Sequence, residues 1–333
     1  MNKPIIRWGI LGCGKIARKF ASDLQLVEGT SLAAVGARTR PQAEAFSQEY
    51  PAAQVHGSYL DLVNDPQVDI IYVATPHGLH YEHVLLCLEH GKAVLCEKAF
   101  ALNSRQTRAM IAKAREKNLF LMEALWTKFL PHYQLTMAMI RDGRLGEVTS
   151  VISTFGFRAA QPYPDRLYDP ALGGGSLLDI GIYNIFLTTA ILGRPDQVEA
   201  SMTPGPGGVD AQCSMVFSYT GGAKAHMLCS FLCQLPTEAW IGGTQGALHL
   251  SHRFYEPSTS VSYYPDKMDS RQLLPFLKEK GWGYRYQIAH VCDCLRGGLS
   301  ESPIMAHTDT LALMELMDEV REKAGIHYPA DDF

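Results

Sequence analysis

The sequence predicts an α/β protein in two parts. An N-terminal doubly wound Rossmann domain covers residues 1–123, and an α+β domain with a large, mostly antiparallel open sheet covers 124–333. Three observations predict this. Short β-branched runs alternate with helical stretches from Ile5 to Glu123 without a break, the pattern of a parallel sheet wound with helices. The first run leads into Gly12-Cys13-Gly14-Lys15-Ile16-Ala17, a strand-to-helix turn of the G-x-G-x-x-A kind. After Trp126 the texture changes to longer alternating segments with Gly- and Pro-rich turns, such as Thr203-Pro204-Gly205-Pro206-Gly207-Gly208, as in antiparallel sheets.

Length and composition bound the rest. A chain of 333 residues is too long for one small core. Lys and Arg number 30 against 34 Asp and Glu, a net charge of −4, which excludes a basic footprint for nucleic acid. No apolar run reads as long enough to span a bilayer. Ile5 to Leu11 is too short for a signal peptide and runs into the glycine turn. A cytoplasmic enzyme without a membrane partner is expected. The eight cysteines lie mostly in apolar segments and form no paired C-x-x-C framework, so reduced, buried thiols are expected. Cys292-Asp293-Cys294 has no companion ligands nearby.

The elements follow in order. In the glycine turn, Gly12 permits the tight bend, Gly14 lets a pyrophosphate approach the backbone, and Ala17 lets helix and strand pack closely. Phosphates then sit at the helix N-terminus, beside Cys13, Lys15 and Ile16, where free N–H groups favour negative charge. The second strand, Ser31 to Ala37, ends in Arg38-Thr39-Arg40. A cofactor lacking the 2′-phosphate is usually held here by an acid on the ribose. None is present, and two guanidinium forks could clamp a 2′-phosphate. The sequence therefore favours NADP over NAD. Pro41 to Tyr50 and Tyr59 to Asn64 read as helices. Val68 to Ala74 reads as a buried strand leading to Thr75-Pro76-His77-Gly78-Leu79-His80, on the ligand side of the sheet. His77, His80 and His83 share a helix-like spacing, but no acid or thiolate completes a metal set, and no metal is expected. Tyr81 to His90 is a helix capped by Gly91. Lys92 to Cys96 is a strand followed by Glu97-Lys98-Ala99. A lysine at such a strand end can hydrogen-bond a substrate oxygen and lower a neighbour's pKa. Ser104 to Lys117 is a helix capped by Asn103, and Leu119 to Glu123 is the last strand of this half.

In the second half, Glu147 to Phe157, Val198 to Met202, Ala211 to Tyr219, Ala223 to Leu232, Glu238 to Ile241, Gly246 to Ser251 and Ser260 to Tyr264 read as strands. Tyr286 to Leu295 and Thr308 to Lys323 read as helices, the last of which could pack back on the first domain. Among them lies Gly173-Gly174-Gly175-Ser176-Leu177-Leu178-Asp179-Ile180-Gly181-Ile182-Tyr183. Three glycines suit a sharp bend or a close approach to a ligand. Ser176 to Asp179 fits a capping box, which would make Asp179 a helix-cap acid. Tyr183 follows four residues later on the same helical face. A carboxylate and a phenol together could bind a polyol or sugar. Beside a lysine, the phenol, which unperturbed titrates near 10, could also move a proton.

Four blocks, Gly12 to Ala17, Ala74 to His80, Cys96 to Lys98 and Gly173 to Tyr183, resemble the glucose–fructose oxidoreductase / inositol dehydrogenase / rhizopine catabolism family. Glu123-Ala124-Leu125-Trp126-Thr127-Lys128-Phe129 and Leu178 to Tyr183 look most like its dimeric dihydrodiol dehydrogenase and NADP-dependent D-xylose dehydrogenase branch. The family's E-K-P motif matches Glu97-Lys98, with Ala99 where Pro is usual. Its D-x-G-x-H block matches Asp179 to Tyr183, with Tyr where His is usual, as in that branch. The resemblance implies Lys98, Tyr183 and Asp179 as catalytic residues. It implies Thr75, Pro76, His77, His80, Glu97, Lys98 and Trp126 as cofactor contacts beside the glycine turn, Arg38 and Arg40. It further implies a homodimer joined through the C-terminal sheet. The expected activity is NADP-dependent hydride transfer between the nicotinamide and a vicinal-diol substrate, an aldose such as D-xylose or a trans-dihydrodiol. Two alternatives stand beside it: an NAD-linked inositol or polyol dehydrogenase, and an NADP-binding sensor that does no chemistry. A nonredox sugar-cleaving enzyme is a remoter third.

Overall fold

The computed structural model describes residues 4–332, which divide into two compact units. The stretch ending at Lys128 groups with Glu279–Ala312, and Phe129–Lys278 groups with the stretch from Leu313.

In the first unit, six strands are separated by helices in strict alternation. They are β1 (Ile6–Leu11), α1 (Lys15–Leu24), β2 (Thr30–Gly36), α2 (Arg40–Glu49), β3 (Gln54–His56), α3 (Tyr59–Val63), β4 (Ile70–Val73), α4 (His80–Glu89), β5 (Ala93–Glu97), α5 (Ser104–Lys117) and β6 (Leu121–Ala124). All strand pairs are parallel, in the order β3-β2-β1-β4-β5-β6. The order reverses between β1 and β4, and there the crevice of a doubly wound sheet opens. β4, β5 and β6 are buried throughout, so they read as unbroken apolar runs rather than alternating ones. Leu11, Val73, Val94, Cys96 and Leu121 join Phe100, Met110 and Ala114 in the core on one side. Helix termini follow the local chemistry: Ser58 and Asn103 accept from Asp61 and Gln106 N–H groups at their helix starts, and Gly91 follows α4 at φ +75°.

The second unit holds α6 (Pro131–Arg141), β7 (Val148–Gly156), α7 (Asp165–Tyr168), α8 (Ile182–Leu192), β8 (Gln197–Pro204), β9 (Asp210–Ser218), β10 (Lys224–Ser230), β11 (Ala239–Gly243), β12 (Gly246–Leu250), β13 (Val261–Tyr264) and β14 (Gln272–Leu274). Its sheet runs β14-β13-β12-β11-β7-β10-β9-β8. Only β7 and β10 pair in parallel; the other pairings are antiparallel. α8 is buried along Ile182 to Thr188 and packs on β7 and β10. Residues with the opposite orientation form one register row across the strands: Val216, His226, Ile152, Trp240, His249 and Ser262. Ile152 in this row is 48% exposed.

Two further helices complete the chain, α9 (Tyr284–Arg296) and α10 (His307–Ala324). The sequence boundary after residue 123 assigned all later residues to the second part, whereas α9 groups with the first unit. The cause is Asp23 of α1, which is fully buried and accepts N–H groups of Trp282 and Tyr284 at 2.8 and 2.7 Å. Its carboxylate thus serves the start of a helix 261 residues away in sequence. α10 begins in the first grouping and ends in the second.

One sequence expectation is corrected on length. Pro170–Leu192 is long and apolar enough by composition to cross a bilayer, and 72% of that window is buried inside the protein. It is a core segment, broken into short helical turns before α8 begins.

Candidate functional site

The β1–α1 turn has the geometry its residues predict. Gly12 sits at φ +97°, and a Cβ there would lie 3.0 Å from Thr75 Cγ2 and 3.2 Å from the Ala74 carbonyl. Only glycine accepts both the dihedral and the crowding. Gly14 is the opposite case. Its φ is −81°, and a Cβ there would meet nothing within 4 Å. The space above it is free for a ligand, and Gly14 opens α1 with no side-chain cap. Ala17 is fully buried, as close helix–strand packing requires. Lys15 is exposed and Ile16 half-buried. Cys13 leans inward, its thiol toward the Gly36 carbonyl, and burial raises it to about 11. A cradle of open backbone at a helix N-terminus fits a dinucleotide pyrophosphate.

Arg38 is exposed just past β2, close enough to Tyr59 to act on its phenol electrostatically. Arg40 is committed elsewhere: its Nε donates to Glu44 at 2.8 Å across one turn of α2. The two arginines read as a pair in the sequence are therefore unequal. At the end of β4, Thr75 Oγ1 lies 3.0 Å from His83 Nδ1. His80 is fully buried between two carbonyls, with Nδ1 2.8 Å from Ala99 O and Nε2 2.8 Å from Thr75 O. Burial lowers both His80 and His83 to about 4. His80 thereby ties the segment after β4 to the segment after β5. His77 is buried, its ring edge-on to His80, and Pro76 is half-buried.

Lys98 follows β5 and is half-buried. Its peptide bond to Ala99 is cis. Behind it, Glu97 is buried and accepts the Tyr72 hydroxyl. Tyr72 is raised well above the ordinary phenol range, first by burial and then by Glu97. Its ring stacks on Phe20 at 3.7 Å. Glu123, on the neighbouring strand, is buried too, and burial with Glu97 beside it raises its carboxyl to about 7. Trp126 is buried and stacks on Tyr284 at 4.6 Å. The sequence reading did not single out Tyr72, Tyr284 or the burial of Glu123.

The second unit presents the other site residues. Leu177–Gly181 forms one π-helical turn that runs directly into α8. Such turns concentrate at functional positions. Asp179 lies in this turn and Tyr183 in the first turn of α8. Asp179 accepts from Arg166 at 3.0 Å. Tyr183 is 5% exposed, and its ring packs on Tyr255 and Phe155 at 4.7 and 5.9 Å. The capping-box expectation at Ser176 is overturned. Ser176 makes no cap bond, because its Oγ donates to Asp210 at 2.7 Å. Asp179 is therefore not a helix-cap acid paired with Ser176. Asp210 and Tyr255 escaped the sequence reading, as did the pairing of Arg166 with Asp179.

Residues 6–125 match the model of the oxidoreductase family with an NAD-binding Rossmann fold, and residues 133–249 match the GFO/IDH/MocA C-terminal domain. The chain is 35% identical over 329 residues to a trans-1,2-dihydrobenzene-1,2-diol dehydrogenase of Xenopus tropicalis, covering 97% of this chain and 99% of that one. The human enzyme of the same name is 34% identical over 334 residues, covering 98% and 99%. Among solved structures, a 3-ketoreductase from Actinomadura kijaniata in complex with NADP and TDP-benzene superposes with a TM-score of 0.84 at 26% identity, covering 96% of this chain and 98% of that one. An aldose–aldose oxidoreductase from Caulobacter crescentus shares the fold, with a TM-score of 0.87 at 24% identity and coverage of 96% and 98%. With both of its halves matched and nearly its full length shared with these enzymes, the chain belongs to the GFO/IDH/MocA family of oxidoreductases.

Proposed function

We propose that this oxidoreductase is specific for NADP and oxidises a vicinal diol, an aldose or a trans-dihydrodiol. The observation that carries the reading is the edge beside the glycine turn. Gly14 leaves open space at the start of α1, and the strand beside it ends in an exposed Arg38 with no acid following. A guanidinium there matches a 2′-phosphate and would have no such partner in NAD. The names of the relatives support the substrate class.

The residues then divide the work. The first turn of α1 holds the pyrophosphate through its N–H groups. Arg38 holds the 2′-phosphate. The bound nicotinamide supplies the hydride acceptor. Lys98 binds the reacting hydroxyl oxygen and favours its negative charge as it forms. Tyr183 Oη takes the hydroxyl proton as the carbinol carbon gives up its hydride and becomes a carbonyl. Asp179, braced by Arg166, orients the second hydroxyl. Tyr255 and Phe155 keep water from the phenol edge. We propose that the protein acts in the cytoplasm as a homodimer joined through the sheet face that carries Ile152 and Trp240. Light scattering at micromolar concentration tests the dimer, and a monomer would overturn it.

Titration of NADPH and NADH by intrinsic fluorescence tests the cofactor reading. NADPH is expected to bind at least tenfold more tightly, about 1.4 kcal/mol, and Arg38→Ala to remove that preference. Equal binding in the unmodified protein would move the NAD-linked polyol reading ahead. An NADP⁺-coupled screen of D-xylose, D-glucose and a trans-dihydrodiol tests turnover, and NADPH binding without turnover on any of them would favour a sensor. Lys98→Ala should lower kcat by about 10²- to 10⁴-fold while leaving NADPH binding largely intact.

A further inference from the structure

Of the three glycines before Ser176, Gly174 and Gly175 are closed around by the protein itself. Gly173 sits at φ +72° and Gly175 at φ +116°. A Cβ on Gly174 would lie 2.8 Å from the Leu167 carbonyl, and one on Gly175 would collide with Asp210 Oδ1. Two side chains from distant parts of the second unit seize this segment. From β9, Asp210 is fully buried, and its Oδ2 accepts both the Ser176 hydroxyl and the Leu177 N–H at 2.7 Å. From the C-terminal segment, Tyr328 is fully buried and donates to the Gly174 carbonyl at 2.6 Å. Tyr328 is itself held: its backbone N–H donates to Asp331, which also takes Arg321 at 2.6 Å, and the Arg321 guanidinium covers the Tyr328 ring. Leu177 is the first residue of the π turn that bears Asp179, and α8 with Tyr183 follows without a break.

We propose that Asp210 and Tyr328 are positioning residues, a two-sided clamp on the backbone of Gly174–Leu177 that fixes where Asp179 and Tyr183 stand. The inference rests on the catalytic roles given to Asp179 and Tyr183. It adds that the C-terminal segment is part of the machinery. The physical reason is economy of freedom. A loop of three glycines is the most mobile backbone a chain can offer, yet the residues after it must hold a proton acceptor to within a fraction of an ångström. Charge-assisted bonds from a buried carboxylate restrain a flexible segment more strongly than neutral ones.

Four variants test the clamp: Tyr328→Phe, Asp210→Ala, Asp210→Asn and Tyr183→Phe. Each is purified as the full chain and assayed with NADP⁺ and D-xylose or trans-dihydrobenzenediol, whichever the unmodified protein turns over, unlabelled and deuterated at the oxidised carbon. Tyr328→Phe and Asp210→Ala should lower kcat tenfold or more and raise the deuterium isotope effect, while the dissociation constant of NADPH stays within twofold. Asp210→Asn keeps an acceptor oxygen for both donors and should recover to within about threefold of the parent. Amide hydrogen exchange over residues 174–183 should quicken at least tenfold in Tyr328→Phe and Asp210→Ala, whatever the substrate. If Asp210→Ala does not fold, Tyr328→Phe, which removes one oxygen atom, decides. Parent-like turnover and exchange in Tyr328→Phe overturn the clamp. Parent-like turnover in Tyr183→Phe instead overturns the catalytic reading, and the exchange rates still decide whether the clamp exists.

Discussion

The two glycine-rich turns of this chain use the same residue for opposite purposes. Around Gly14, a Cβ would meet nothing of the protein within 4 Å; the glycine borders open space. Around Gly174 and Gly175, a side chain would strike Leu167 and Asp210; those glycines let the chain pack against itself. Motif spacing does not distinguish the two. Only the surroundings do, and the surroundings arrive from far along the sequence. The first turn is thus open at the start of α1, and the second is the packed root of the π turn and helix that bear Asp179 and Tyr183.

Substitution at Gly175 should break the comparison most severely. Gly175→Ala forces a Cβ into a backbone at φ +116° and against a buried carboxylate. Strain and overpacking together cost about 4 kcal/mol. The expected result is a large fall in melting temperature and loss of turnover, read by calorimetry and the NADP⁺-coupled assay. A variant as stable as the parent would show that the second turn is as open as the first.

The two units also differ in how they keep a buried acid. Glu123 in β6 is raised to about 7, and Asp210 in β9 to about 6. Burial is the first cause in both, and hydrogen bonds oppose it in both, from Thr310 and Phe100 at Glu123 and from Ser176 and Leu177 at Asp210; Glu123 has in addition Glu97 as a like-charged neighbour. A carboxyl raised in the folded state binds its proton more tightly there than in the unfolded chain. Its stabilising proton is fully present below the ordinary carboxylate range and is lost as pH rises through the folded value. For Glu123 the loss spans about pH 4.5 to 7. Glu123→Gln should therefore match the parent near pH 4.5 and exceed it above pH 7, by of order 3 kcal/mol at pH 8. Melting temperature followed against pH checks this, and parallel curves for parent and variant would remove Glu123 as their cause.

The first turn was legible because its chemistry is local. Gly12, Gly14 and Ala17 lie within six consecutive residues, and the strand before them and helix after them announce themselves by pattern. The same holds for the parallel sheet, which the alternation of strand and helix announces, and for Lys98 at the end of β5, whereas the three-residue β3 (Gln54–His56) at the sheet edge was too short to read. The second turn was legible only in part. Asp179 and Tyr183 stood out by residue type, but their supports did not. Asp210 reaches Ser176 across 34 residues, and Tyr328 reaches Gly174 across 154. No periodicity records such a meeting. The π turn was equally hidden, since its extra residue leaves no mark in an apolar run. Ser176 misled for the same reason: its spacing to Asp179 satisfied a local rule, and a buried carboxylate from another strand took the hydroxyl instead. The return of α9 to the first unit turns on Asp23, whose partners lie 259 to 262 residues away.

Gly14→Val probes the open side of the comparison. With nothing within 4 Å of the new Cβ and an extended backbone already in place, folding should be little affected; the helix start costs at most about 1 kcal/mol. NADPH affinity should fall at least tenfold, about 1.4 kcal/mol, because the branched side chain fills the pyrophosphate's approach. Fluorescence titration reads the affinity and calorimetry the stability. Unchanged affinity would mean that the cradle lies elsewhere.

The smallest effect sharpens the contrast within the cradle's own rim. Arg40 was read from the sequence as a partner of Arg38 in holding a 2′-phosphate, yet it spends its guanidinium on Glu44, with both side chains largely exposed. An exposed pair of this spacing contributes about 0.3–0.5 kcal/mol. Removing it also leaves Glu44 as an unneutralised acid beside the rim, so any change in NADPH binding mixes a lost cation with a freed anion. The charge-neutral comparison is the double variant Arg40→Ala with Glu44→Ala. It should bind NADPH within twofold of the parent and keep the preference over NADH, whereas Arg38→Ala removes that preference. If the double variant loses the preference as fully as Arg38→Ala does, Arg40 leaves Glu44 when cofactor binds, and the clamp has two arms rather than one.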